Sequence, residues 1–168
     1  LWLAEITIGA LIEFLADHEA GKAHERSICA DIVKCFVDFP DEQAESLTDM
    51  KNILAGLRRD IDREVNNSAL TRQLNIRILA TKGNLVFGVP AAAARHVPEL
   101  ESTRFLYLVD EIEELTNDQQ KYLQTLMRNR ADPCSFRLGV RLYGLRTFAT
   151  DSGEENRVGS EFDMLNLD

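Results

Sequence analysis

The sequence predicts an α/β fold: part of a sheet flanked by helices, with a helical N-terminal portion and an inserted β-hairpin. Three observations predict it. Apolar residues recur at three-and-four spacing through most of residues 1–65, which is the period of packed helices. Phe105 to Val109 is a run of five apolar residues, the pattern of a strand buried on both faces in a parallel sheet covered by helices. Two short β-rich runs, Asn75–Ala80 and Asn84–Val89, are separated by Thr81-Lys82-Gly83, the arrangement of two strands around a tight turn.

The first helix comes at the start of the chain. In Leu1–Ala16 one stripe carries Leu1, Ala4, Ile8, Leu11, Ile12 and Leu15, while Trp2, Ile6, Ala10 and Phe14 lie on other faces, so this helix is expected to be buried on more than one side. A second helix is predicted over Ala23–Val37, with Ile28, Ile32, Cys35 and Phe36 on one face and Pro40 beyond its end. A third, Asp41–Val65, has acids in its first turn and a coiled-coil-like seam of Leu47, Met50, Leu54, Leu57 and Ile61. Packing on helices of the same domain is the preferred use of that seam, and pairing with another chain is the alternative.

After the hairpin, Pro90 opens an Ala-rich helix that Pro98 closes. Thr116-Asn117-Asp118-Gln119 reads as a capping box, in which hydroxyl and amide satisfy two orphan helix N–H groups. The helix that it starts carries Tyr122, Leu123, Leu126 and Met127 and ends before Pro133. Phe136, Leu138, Val140 and Leu142 alternate as a further strand continued by Leu145–Thr150, and Glu161–Leu167 is a last strand.

Composition narrows the classes. With 168 residues, 45% of them hydrophobic and 28% charged, the chain can bury a sizeable core and disorder is not expected. Glu5 and Glu13 interrupt the first apolar run, so it falls short of the roughly 18 apolar residues of a membrane span. Cys29, Cys35 and Cys134 form no CxxC and are read as buried free thiols in a cytoplasmic protein. A net charge of −9 disfavours nucleic acid, because a phosphate backbone repels an acidic surface. Arg58, Arg59 and Arg63 are the densest basic group, and near the end of a predicted helix they complement its dipole. His18, His24 and His96 accompany no recognisable nucleophile motif, and Gly153-Glu154-Glu155-Asn156 lacks the alternating ligands of a calcium loop.

The stretch that carries chemistry is Phe105-Leu106-Tyr107-Leu108-Val109-Asp110-Glu111. A strand ending in two carboxylates delivers them to the carboxyl edge of a sheet, where open α/β folds bind ligands. The first acid suits the water shell of Mg2+, and the second suits a water attacking a γ-phosphate. The same pattern also fits a strand running into an acidic helix start, where Asp and Glu are favoured in any case.

Phe105 to Arg128, FLYLVDEIEELTNDQQKYLQTLMR, resembles the Walker B strand and following helix of the prokaryotic ORC/Cdc6-like family of AAA-type P-loop ATPases. Phe136–Arg141, Gly144–Thr147 and Gly159–Phe162 are similar to the segments downstream of that helix in the family, and the resemblance fades before Pro98. It implies a partial P-loop NTPase-like sheet in one partial nucleotide-binding domain over 1–168, in which 1–67 reads as mainly helical from its periodicity and 68–168 is the α/β part that carries the Walker B strand. It implies ATP and Mg2+ as cofactors, Asp110 as the metal-holding residue, Glu111 as the catalytic glutamate of a hydrolase, and Thr147 as a candidate nucleotide-sensing residue. Arg128, Arg130, Arg141 and Arg146 are candidates for reaching a neighbouring subunit's phosphate, with structural use favoured for each. DNA association rests on the family analogy alone.

The chain departs from the family in having no GxxxxGK[ST]; its one Gly-Lys pair, Gly21-Lys22, is followed by Ala23. Because it opens on Leu1-Trp2-Leu3, it is expected to be a piece of a longer protein that begins after the phosphate loop, and to bind ATP poorly by itself. The rival expectation is a non-catalytic interaction module, with self-association or a protein partner engaged through the N-terminal helices.

Overall fold

The computed structural model describes residues 1–18, 22–40, 44–77, 79–141 and 143–166. The chain divides into two compact units, Leu1–Thr103 and Arg104–Asp168.

The first unit is helical. Helix α1, Trp2–Ala16, buries Ala4, Thr7, Ile8, Leu11 and Leu15 on one face. Trp2 and Ile6 are 59% and 50% exposed and Ala10 is exposed with them, so burial on several sides does not occur. Helix α2, Glu25–Val33, buries Ile28, Cys29 and Ile32 and is shorter than its periodicity predicts. Phe36 leaves the helical path to form an isolated antiparallel bridge with Ala80, and its ring is buried.

Helix α3 runs from Leu47 to Thr71, starting later and ending later than the sequence predicts. Residues 41–43 of the predicted span lie outside the described residues. Ser46 and Asp49 set the start: the Ser46 hydroxyl accepts from Asp49 N at 3.1 Å, and the Asp49 carboxylate accepts from Ser46 N at 3.0 Å. That reciprocal pair satisfies orphan donors of the first turn. Leu47, Met50, Ile53 and Leu54 are buried, which leaves most of the distal half solvated. Arg58, Arg59 and Arg63 therefore sit in mid-helix and not at its C-terminus; Arg58 pairs with Glu5 and Arg63 with Asp60.

The predicted hairpin is absent. Asn84–Val89 belongs to helix α4, Asn84–His96, and the described part of Asn75–Ala80 forms only the Phe36–Ala80 bridge. Leu85, Val86, Val89, Ala92 and Ala93 are buried at helical spacing, and that packing overrides the strand preference of the β-branched residues. Gly83 turns the chain into the helix at φ +83°, a conformation glycine adopts without strain. Pro90 lies inside the helix instead of opening it. Gly88 allows close approach to α2's end, since a Cβ there would stand 2.3 Å from Cys35 Sγ. Helix α1 packs on α3 and α4, and α2 packs on α4 and α3. Each fully buried side chain at the centre, such as Ile8, Ile32 or Leu54, contributes about 1.5–3 kcal/mol.

In the second unit, β1 (Phe105–Val109) pairs in parallel with β2 (Cys134–Leu138), in register from Phe105 opposite Cys134 to Val109 opposite Leu138. Helix α5, Asn117–Arg128, connects them and starts at the predicted capping box of Thr116 and Gln119. Tyr107 stacks on Phe136, with centroids 5.1 Å apart. Leu106 and Leu108 on the opposite face are 44% and 73% exposed, which corrects the expectation of a strand buried on both sides. Beyond Leu138 the predicted continuation and final strand are replaced, among the described residues, by turns and two isolated bridges, Ala149–Glu155 and Val158–Phe162. Leu142 and Leu167 lie outside the described residues.

The three thiols are free, as expected, with Cys29 and Cys134 buried and Cys35 only half-buried. Burial pushes Cys29 up to about 12 and Cys134 up to about 11, so both stay protonated and inert at neutral pH. Among the described residues no helix is long and apolar enough to cross a membrane.

Candidate functional site

Strand β1 ends at Val109, and Asp110 and Glu111 come next at its carboxyl end, both exposed. In parallel sheets this end faces ligands. The strand geometry ends between the two acids. Glu111 has φ +55°, in the left-handed region, and a 3-10 turn over Ile112–Glu114 begins directly after it. Its N–H donates to Asp110 Oδ1 at 2.9 Å. A left-handed conformation costs a non-glycine residue about 1–2 kcal/mol, so the neighbouring contacts must hold it in place.

Those contacts come chiefly from the segment after β2. Gly139 N donates to Val109 O at 2.7 Å, and Ile112 N donates to Gly139 O at 3.3 Å. A Cβ at position 139 would stand 2.2 Å from Asp110 Oδ1, so glycine provides the space that the carboxylate fills. Glu113 is turned towards the same segment, where it accepts from Arg141 N at 3.3 Å and pairs with Arg141 Nε at 3.1 Å. Arg146 donates from its guanidinium to the carbonyls of Glu113 and Leu115. The acid turn is thereby clamped from Gly139 to Arg146.

The model of the ORC-CDC6-like family matches residues 1–168. The chain belongs to the ORC-CDC6-like family. The match includes the helical N-terminal half, where the sequence resemblance is weak. No curated protein and no solved structure matches the chain. Family membership makes this an AAA-type ATPase-related domain.

In this ORC-CDC6-like chain Thr147 is half-buried on an irregular segment, where its Oγ1 accepts from Ala149 N at 3.0 Å and its carbonyl accepts from Gln124 Nε2 at 3.2 Å. Neither of those bonds reaches the acid pair. Each candidate arginine has intramolecular partners. Arg128 meets Glu154 and Glu161, Arg130 donates to Glu161 O, Arg141 meets Glu113, and Arg146 caps the acid turn. The open cavity lined by Arg128, Glu154, Glu155, Arg157, Ser160 and Glu161 includes neither acid of the pair.

Sequence reading missed Gln120 and Gln124, which are buried on α5 among Leu123 and Leu126. The available signal was two polar residues four apart on the apolar stripe of that helix. A polar residue at a core position needs buried partners, and here those partners are the Ile112 carbonyl, backbone groups of the segment after β2 and Asn156.

For Mg2+ the donor chemistry fits. Such a hard ion keeps several waters and uses one or two carboxylates plus substrate phosphates. Asp110, seated in the space that Gly139 leaves, could supply one such carboxylate. Among the described residues no group of three or more His, Cys, Asp or Glu comes together, so these residues do not form a protein-only cage.

Proposed function

We propose that this chain is part of an ATP-binding and ATP-hydrolysing AAA-type domain, in which Asp110 holds Mg2+ and Glu111 polarises the attacking water. One observation supports this above all: two adjacent, exposed acids at the carboxyl end of a parallel strand, the first beside a glycine that makes room for it. Magnesium, when bound with ATP, neutralises charge on the phosphate oxygens. Glu111 accepts a hydrogen bond from water, orients its oxygen towards the γ-phosphorus and takes up its proton as the bond to ADP breaks. The Thr147 hydroxyl accepts from Ala149 N, and its O–H is the donor proposed for a phosphate oxygen. Both compact units are proposed to serve one nucleotide-binding domain.

Glu111→Gln in the intact protein tests this, because it removes the charge and keeps the shape. The expected result is ATP turnover reduced about 100-fold or more with ATP affinity nearly unchanged. Unchanged turnover would contradict it. A second reading has its own observation, the exposed Trp2, Ile6 and Ala10 stripe on α1, which suits a protein partner or second copy. On that reading alone, Glu111→Gln changes nothing, and Trp2→Ala abolishes association.

A further inference from the structure

Gln120 is fully buried, yet an apolar residue at that position would satisfy the period of α5 and gain more from burial. Both of its amide hydrogens and its carbonyl are engaged. Nε2 donates to Ile112 O at 3.0 Å and to Gly144 O at 3.1 Å, while Oε1 accepts from Arg146 N at 2.9 Å. The three partners belong to two separate segments. Ile112 directly follows Glu111, whereas Gly144 and Arg146 lie in the segment leading to Thr147.

Glu111 is where this matters. Its left-handed backbone persists only if the next peptide is held, and Ile112 is held at both polar groups, by Gly139 O on its N–H and by Gln120 Nε2 on its carbonyl. We propose that Gln120 is a positioning residue that fixes the Glu111 backbone and so aims the Glu111 carboxylate. The same amide keeps the acid turn in register with Gly144–Arg146. Gln124 continues the arrangement one turn later, donating to Thr147 O and accepting from Asn156 Nδ2. This inference rests on the catalytic reading of Glu111 for its consequence, but not for its geometry.

The test uses the intact protein with Gln120→Met and Gln120→Glu, ATP as substrate, and the NMR chemical shifts of Glu111 and Ile112 as a separate readout. With Gln120→Met, kcat should fall about 10- to 100-fold while KM for ATP stays near the wild-type value. The Glu111 backbone shifts should move as its left-handed conformation is lost. Gln120→Glu keeps the acceptor for Arg146 N but, when ionised, loses both donors, so its kcat should recover as pH is lowered and the carboxyl regains a proton to donate. That acid-side recovery is not expected of a loss of packing alone, and it remains measurable if Gln120→Met does not fold. Wild-type kcat in a folded Gln120→Met, or a Gln120→Glu pH profile parallel to that of the wild type, would overturn the proposal. If Glu111→Gln itself leaves turnover unchanged, the catalytic reading has failed, and the Glu111 shifts in Gln120→Met then decide the positioning claim alone.

Discussion

Asp110 and Gly139 show how one missing methyl group shapes the candidate site. The ideal Cβ at 139 lies 2.2 Å from Asp110 Oδ1 and 3.5 Å from Asp110 Cα, so a side chain cannot enter without displacing the acid. Gly139→Ala is therefore expected to cost at most about 1 kcal/mol of stability, because the exposed Asp110 carboxylate is free to rotate away. It should also weaken Mg2+-dependent turnover more strongly than it weakens folding. Urea unfolding and turnover across a Mg2+ titration check both parts. Wild-type values in each would show that the carboxylate does not use that space. Residues of this kind were half legible. The acid pair stood out because two carboxylates end an apolar run, whereas Gly139 and Gln120 act through partners distant in sequence that no local pattern displays.

At the scale of elements, α2 and α4 are joined through one carboxylate. Asp31, whose side chain is 11% exposed, meets Lys34 Nζ at 2.6 Å, Arg95 at 2.5 Å and His96 Nε2 at 2.9 Å. Hydrogen bonds from Lys34 first, then His96 and Arg95, hold its carboxyl well below the usual range. A carboxyl whose value is depressed on folding stabilises the fold above its unfolded value, near 3.9, and loses that contribution as pH falls towards the folded value. Stability of the wild type should thus drop below about pH 5 more steeply than that of Asp31→Asn, measured as urea midpoints against pH. Parallel curves would remove Asp31 from the acid response. The same pair of helices marks the limit of pattern reading. The helices with caps or strong stripes, α1, α3 and α5, were legible as helices, α1 and α5 nearly to their ends and α3 with both ends placed six residues too early. Helix α4 was not, because Val86, Val89 and Pro90 suggest strand and helix start while burial against α2 and α1 imposes a helical period.

For the whole molecule, the α/β class and the parallel character of β1 were readable from its apolar run, whereas its pairing with β2 emerges only in the structure. The sheet's extent was not readable either. Beyond Leu138 the chain alternates loosely, yet among the described residues the carbonyls of Thr147, Glu154 and Glu155 accept from the side chains of Gln124, Thr150 and Arg128 instead of joining a ladder. Membership of the ORC-CDC6-like family spans both units, and the proposed roles of Asp110 and Glu111 depend on where a nucleotide lies relative to them. An experimental structure of the intact protein with Mg2+ and a non-hydrolysable ATP analogue measures this most directly. Asp110 is expected within hydrogen-bond reach of the metal's water shell and Glu111 facing the γ-phosphate; a triphosphate bound away from the carboxyl end of β1 would contradict the proposed roles of both acids.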